Sequence, residues 1–163
     1  MNEALRRVFF NLAPKATDDD YFSTVRASMV LSADTGHSIH PNYPEKHQQS
    51  HQVKMNSGVC FKINCNQRYM TDSTGLAIFR ALAEMGEVPM QDMAVRQDMR
   101  TGSTIGPFIA GLTGIKTVDI GIPILSMHSI RETSGVLDIL YLKKLYTIFL
   151  QKYSKISQDL LSC

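Results

Sequence analysis

The 163-residue sequence has no apolar stretch approaching the ~20 residues that would carry a helix across a bilayer, which excludes a helical membrane span. It has no run of lysine or arginine, and its formal net charge is only +2. Nothing therefore calls for nucleic acid or an anionic membrane as a partner. The opening residues, Met-Asn-Glu-Ala-Leu-Arg-Arg, lack the apolar core of a secretory signal. Cysteine is scarce. Cys60, Cys65 and Cys163 are an odd count without metal-site spacing, which points to reduced thiols in a cytosolic protein. Internal repeats and low-complexity tracts are absent. The turn Gly102-Ser-Thr-Ile-Gly-Pro107 lacks the Gly-Lys-Ser/Thr ending of a Walker loop and the glycine spacing of a dinucleotide fingerprint, so nucleotide binding is not expected. What remains is a tight turn opening a helix, whose amides face outward for an anionic group.

What is present is an ordinary apolar share, 44%, enough for one domain with a real core and too little chain for two comfortable ones. Four of the five histidines, His37, His40, His47 and His51, fall between Ser32 and His51 together with Asp34 and two prolines. Asp34 follows the apolar run Met29 to Leu31, where a strand ends and a loop begins. The fifth histidine, His128, holds the matching place after Ile124-Leu-Ser-Met127. A carboxylate and an imidazole, each at the end of its own strand, suggest a metal or catalytic site assembled from distant parts of the chain. His47 and His51 stand four apart, but their surroundings carry no helical stripe, and they read as surface histidines.

The coarse reading is α/β. Leu5, Val8, Phe9 and Leu12 make one apolar stripe, so residues 3–12 are expected to be helical, closed by Pro14 and followed by a polar connection at Thr17-Asp-Asp-Asp20. Residues 28–32 are the first strand, and a long loop runs to about Asn56. Val59, Phe61 and Ile63 alternate with Cys60, Lys62 and Asn64, the pattern of a half-buried strand that leaves Lys62 solvated. A helix capped by Asp72 or Ser73 buries Leu76, Phe79 and Ala83 and stops at Gly86. Strands at 92–96 and 117–120 with a helix between them form a βαβ unit, which predicts two parallel strands. From Val136 to Tyr153 an amphipathic helix gathers Leu137, Leu140, Tyr141, Leu145, Ile148 and Phe149 on one side.

Four segments then resemble, in order and spacing, the aspartyl aminopeptidases: Ser32 to Tyr43, Asn66-Gln-Arg-Tyr69, Gly102 to Pro107 and Val118 to Glu132. Members of that family are dinuclear zinc exopeptidases that remove N-terminal acidic residues from peptides. The resemblance covers about residues 28–137. It implies a three-layer α/β/α domain with a mixed, partly parallel sheet, with residues 1–163 forming a single partial catalytic domain at its C-terminal side. By the same resemblance Asp34 and His128 match zinc-binding positions, while His37, Lys62 and Tyr69 match positions that contact substrate. Lys62 would be the counter-charge for an acidic side chain.

The family's remaining metal ligands, its general-base glutamate and the inserted domain through which subunits pair would lie upstream of the region matching Met1. Nothing before Asp34 replaces them, since Glu3 is the sole glutamate there and Asp18, Asp19 and Asp20 crowd one polar turn. Each of the family's two Zn2+ ions would then keep one protein ligand, against the three that a catalytic zinc usually has. The expectation is a polypeptide with no catalytic base of its own and no activity alone. The alternative is a non-catalytic relative that binds or assembles with a full-length enzyme. The family also implies homo-oligomers, a cytoplasmic setting and, for a chain without the inserted domain, an exposed apolar sheet face.

Overall fold

In the computed structural model, which describes residues 1–161, the strands form two sheets. In chain order they are β1 (Met29–Ala33), β2 (Gly36–His37), β3 (Val59–Ile63), β4 (Met90–Ala94), β5 (Lys116–Gly121), β6 (Pro123–Leu125) and β7 (Thr133–Ser134). The larger sheet has the order β1-β5-β3-β4, and the smaller β2-β6-β7. Strands β1 and β5 are parallel, as are β3 and β4, whereas β3 and β5 are antiparallel. The helices are α1 (Asn2–Leu12), α2 (Asp18–Ala27), α3 (Ser73–Met85), α4 (Gly106–Thr113) and α5 (Val136–Leu161). No helix among the described residues is long and apolar enough to cross a membrane.

Strand alternation sorts the large sheet into two faces. Val59 and Phe61 of β3 and Val118 and Ile120 of β5 pack with Ile78, Phe79 and Leu82 of α3 and Leu145 of α5. Asp119, between Val118 and Ile120, points the other way. It accepts the Thr104 hydroxyl at 2.7 Å and crowds Gly106 at the start of α4. Helices therefore lie on both faces of a mixed sheet, as the sequence leads one to expect. Asp72 caps α3 by accepting the Gly75 N–H at 2.6 Å, and Gly86 follows its last turn.

Several expectations are corrected. Thr17 to Asp20 is the start of α2: the Thr17 hydroxyl accepts the Asp20 N–H and the Asp20 carboxylate accepts the Thr17 N–H, a capping box. Strands β4 and β5 are antiparallel, because both orientations are set through β3. The connection between them begins and ends at the same end of the sheet. Its Gly102 turn is held back there by Ser103 and Thr104, which both donate to the Arg68 carbonyl. Strand β3 is buried on both faces, not one. In α5, Leu137 and Leu140 are exposed, and the buried side is carried by Leu145 with Tyr141, Ile148 and Phe149 packed beside it. The exposed large apolar side chains among the described residues lie on helices and loops, such as Leu12, Phe108 and Ile139, and none on the sheet. Cys163 lies outside the described residues; Cys60 and Cys65 are free thiols.

The two sheets are one ribbon that bends. The Asp34, Gly36 and Ser38 N–H groups donate in turn to the Ile120, Ile122 and Ile124 carbonyls, so the pairing of β1 with β5 runs on into that of β2 with β6. At the bend Gly121 meets the Asp34 carbonyl so closely that a Cβ on it would stand 1.5 Å from that oxygen. A glycine is needed there for space.

Candidate metal and substrate site

The bend places Asp34 at the carboxyl end of β1, and β3 delivers Lys62 to it. The Lys62 ammonium donates to Asp34 Oδ2 at 2.9 Å. The pair is lopsided: the lysine side chain is 2% exposed and the aspartate 53%. Lys62 does project opposite Phe61, but that side is covered by a second apolar cluster of Val53, Cys60, Tyr69 and Met93. Its ammonium sits 5.4 Å from the centre of the Tyr69 ring. A buried ammonium is tolerable only where a counter-charge and a π face replace its water, and both are supplied here.

Tyr69 is buried, and its hydroxyl shares a 3.0 Å hydrogen bond with the Thr101 hydroxyl. Burial, joined by the charges of Asp34 and Asp119, holds the phenol above its ordinary range, so it remains a donor at neutral pH. His37, in β2, is held below the ordinary imidazole value by partial burial and by the charges of Lys62 and His128. It is the residue whose surroundings join the two halves of the site. His128 is exposed in the β6–β7 connection with a left-handed backbone (φ 66°), and its N–H donates to the Glu132 carboxylate at 2.6 Å. The structure thus brings Asp34, Lys62 and Tyr69 into contact and sets His37 within the electrostatic reach of Lys62 and His128. Asp34 and His128 share no hydrogen bond.

As a metal site this set is incomplete. Zinc asks for about four donors, at least three of them from protein in catalytic centres. Among the described residues no three histidine, cysteine, aspartate or glutamate side chains group as metal ligands. Asp34 already has an ammonium on one oxygen. The thiol of Cys60, beneath Lys62, is pushed up to about 12 by burial and offers no thiolate. The residues present do not fit a whole zinc centre by themselves.

A model of the aminopeptidase I zinc metalloprotease (M18) family matches residues 1–150. The chain belongs to this family. It is 47% identical over 145 residues to a probable M18 family aminopeptidase 2 of Pseudomonas savastanoi, covering 89% of this chain and 33% of the relative. It is 46% identical over 137 residues to aspartyl aminopeptidase 4 of Saccharomyces cerevisiae, covering 84% of this chain and 28% of that one. Among solved structures, the crystal structure of prApe1 superimposes with a TM-score of 0.91 at 30% identity, covering 98% of this chain and 33% of the other. The S. cerevisiae mApe1 dodecamer does so with a TM-score of 0.72 at 32% identity, over 82% and 29%. The M18 chain described here spans about a third of the length of the curated relatives it matches.

Two features of this M18 chain escaped the sequence reading. The first is Asp119, fully buried, which accepts the Met70 N–H at 2.6 Å and the Thr104 hydroxyl, while Thr71 bonds its backbone on both sides. It ties the segment carrying Tyr69 to the Gly102 turn. A lone carboxylate between Val118 and Ile120 was the available signal. The second is the role of the loop histidines. His47 is partly buried rather than a free surface group, and its Nε2 accepts the His40 N–H at 3.1 Å, while His40 Nδ1 accepts the Asn42 N–H.

Burial, then the charges of His37 and His40, lower the His47 value below 6.5, with Glu45 opposing. An unfolded chain takes up a proton near 6.5 that the folded chain resists. His47 therefore contributes stability above that pH, and the contribution is lost as pH falls toward its depressed folded value. The His47 ring signals in an NMR titration are expected to turn over below 6.5, with the melting temperature falling between about pH 7 and pH 5. A midpoint at or above 6.5 would contradict this.

Proposed function

We propose that residues 1–163 form part of the catalytic domain of a zinc-dependent aminopeptidase that removes N-terminal aspartate or glutamate from peptides. The observation that carries this reading is the buried Lys62 ammonium beside a half-open carboxylate and a buried tyrosine hydroxyl. An ammonium with little water around it discriminates between a carboxylate and its neutral amide, since the charge-assisted hydrogen bond to the former is the stronger. In this reading Lys62 recognises the acidic side chain, Tyr69 donates to a substrate carbonyl, His37 contacts substrate, and Asp34 and His128 are metal positions. Two Zn2+ ions would serve a complete active site, whose other ligands and general base these residues do not provide. The dodecameric relative supports homo-oligomeric assembly, and a cytoplasmic setting is part of the same proposal.

The purified 163-residue polypeptide is expected to show no turnover of an aspartyl peptide with added zinc. Hydrolysis above the buffer rate would overturn the incomplete-site reading. Binding tests recognition separately. Asp-Gln-amide is expected to bind about tenfold more tightly than Asn-Gln-amide, and Lys62→Met to erase the difference. Asp34 is open to water, so that variant does not strand a buried charge. Equal affinity of the wild-type polypeptide for the two peptides would sink the lysine's role.

The small donor set also favours a second reading, a non-catalytic relative that assembles with a full-length enzyme. Co-elution with a full-length M18 aminopeptidase, without change in its turnover, would support it.

A further inference from the structure

A cavity of about 310 Å3 lies next to the Lys62 pair, and of its lining the reading above uses His37 alone. Two residues connect it to that pair. His37 lines its wall and feels the charge of Lys62, and Thr101 lines it and bonds the Tyr69 hydroxyl. The floor is apolar, built on Val53, Met93 and Ile124, all buried. The rim carries cations and imidazoles instead: Lys46, Arg100, His40 and His51.

The charge balance of this rim is one-sided. No aspartate or glutamate is among the described residues lining the cavity. The nearby acids are otherwise placed. Asp98 holds Arg96 in an ion pair, and Glu45 faces a separate hollow with Gln48 and Arg96. Arg100 makes no hydrogen bond or ion pair among the described residues, and the Lys46 ammonium has only the Tyr43 ring, 4.9 Å away. His40 adds an Nε2 donor, because its Nδ1 accepts the Asn42 N–H and so carries no proton. An apolar floor under unpaired donors suits a carboxylate on a short aliphatic stem.

We propose that this cavity is a second carboxylate subsite, taking the residue that follows the acidic first residue of a bound peptide. The inference rests on the assignment of Lys62 and Tyr69 to the first residue. Its stem would lie over Met93 and Ile124, and its carboxylate would sit between Arg100 and Lys46. Two sources supply that chemistry: an acidic second side chain, or the terminal carboxylate of a dipeptide.

Calorimetric titration of the 163-residue polypeptide separates them, using Asp-Glu-amide, free-acid Asp-Gln, Asp-Gln-amide and Asn-Gln-amide. Asp-Glu-amide is expected to bind about three- to tenfold more tightly than Asp-Gln-amide. A gain for free-acid Asp-Gln instead would support the subsite with a terminal carboxylate as its ligand. In either case the gain should vanish in an Arg100→Gln, Lys46→Gln double variant, both side chains being exposed and outside the core. The preference for Asp over Asn at the first position should survive in that variant. Equal affinity for the three aspartyl peptides, with Asp still preferred over Asn, overturns the subsite and spares the Lys62 reading. A second-residue gain without any Asp preference does the reverse. Failure of every peptide to bind overturns both.

Discussion

Gly121→Ala is expected to cost more than about 4 kcal/mol, enough to remove the cooperative thermal transition of a domain of ordinary stability. The reason is geometric. The added methyl would stand 1.5 Å from the Asp34 carbonyl oxygen and 3.2 Å from the Thr35 Cα, both backbone atoms that no rotamer change can clear. Relief would require β1 and β5 to part at the bend, where the Asp34 N–H bonds the Ile120 carbonyl. Asp34 would move with it, so the site would be lost along with the fold. Gly111→Ala is the control. Its methyl meets nothing within 4 Å, and in the interior of α4 it should add up to about 1 kcal/mol. Calorimetric scans of the two variants settle the matter: a Gly121→Ala protein melting within a few degrees of the parent would mean that the bend is far more pliant than described.

Asp119→Ala is expected to lower stability by about 3 kcal/mol or more, read as a shift in denaturant midpoint at unchanged slope. The fully buried carboxylate is the shared acceptor of the Met70 N–H and the Thr104 hydroxyl, and its removal strands both donors beside a void. Asp119→Asn keeps one acceptor oxygen and should lose about half as much. A second readout separates positioning from stability. Under conditions where the Asn variant is fully folded, its preference for Asp-Gln-amide over Asn-Gln-amide should drop, because the Tyr69 ring that covers the Lys62 ammonium sits next to the released Met70. An unchanged preference would show that the Tyr69 segment does not depend on this anchor.

Much of the fold was legible because its signals are local. The apolar stripe of α1, the Asp72 cap and Gly86 stop of α3, and the apolar-to-loop transition at Asp34 are each written within a few residues. The family was legible for a related reason, since the motifs around Asp34, Tyr69, Gly102 and His128 keep their order and spacing whatever the packing. The capping box at Thr17 was equally local and was read as a turn because three aspartates mask the helical pattern. The parallel pairing expected of β4 and β5 failed for a different reason. Pairing between strands depends on β3, some 30 residues upstream of β4, and no nearby residue records it.

By itself, the sequence determined helices α1, α3, α4 and α5 and strands β1, β3, β4 and β5, which way Lys62 points from its strand, and to which family the chain belongs. Those follow from backbone propensity, from alternation every second residue and from motif spacing. Only the tertiary structure decided that the opposite face of β3 is roofed by Tyr69, Met93 and Val53, so that Lys62 is buried against Asp34 instead of solvated. The same holds for Asp119 as the anchor of two loops and for the cationic cavity between residues 37–53, 93–102 and 124–126. Direction is a property of a strand, whereas burial is a property of what distant chain lays over it.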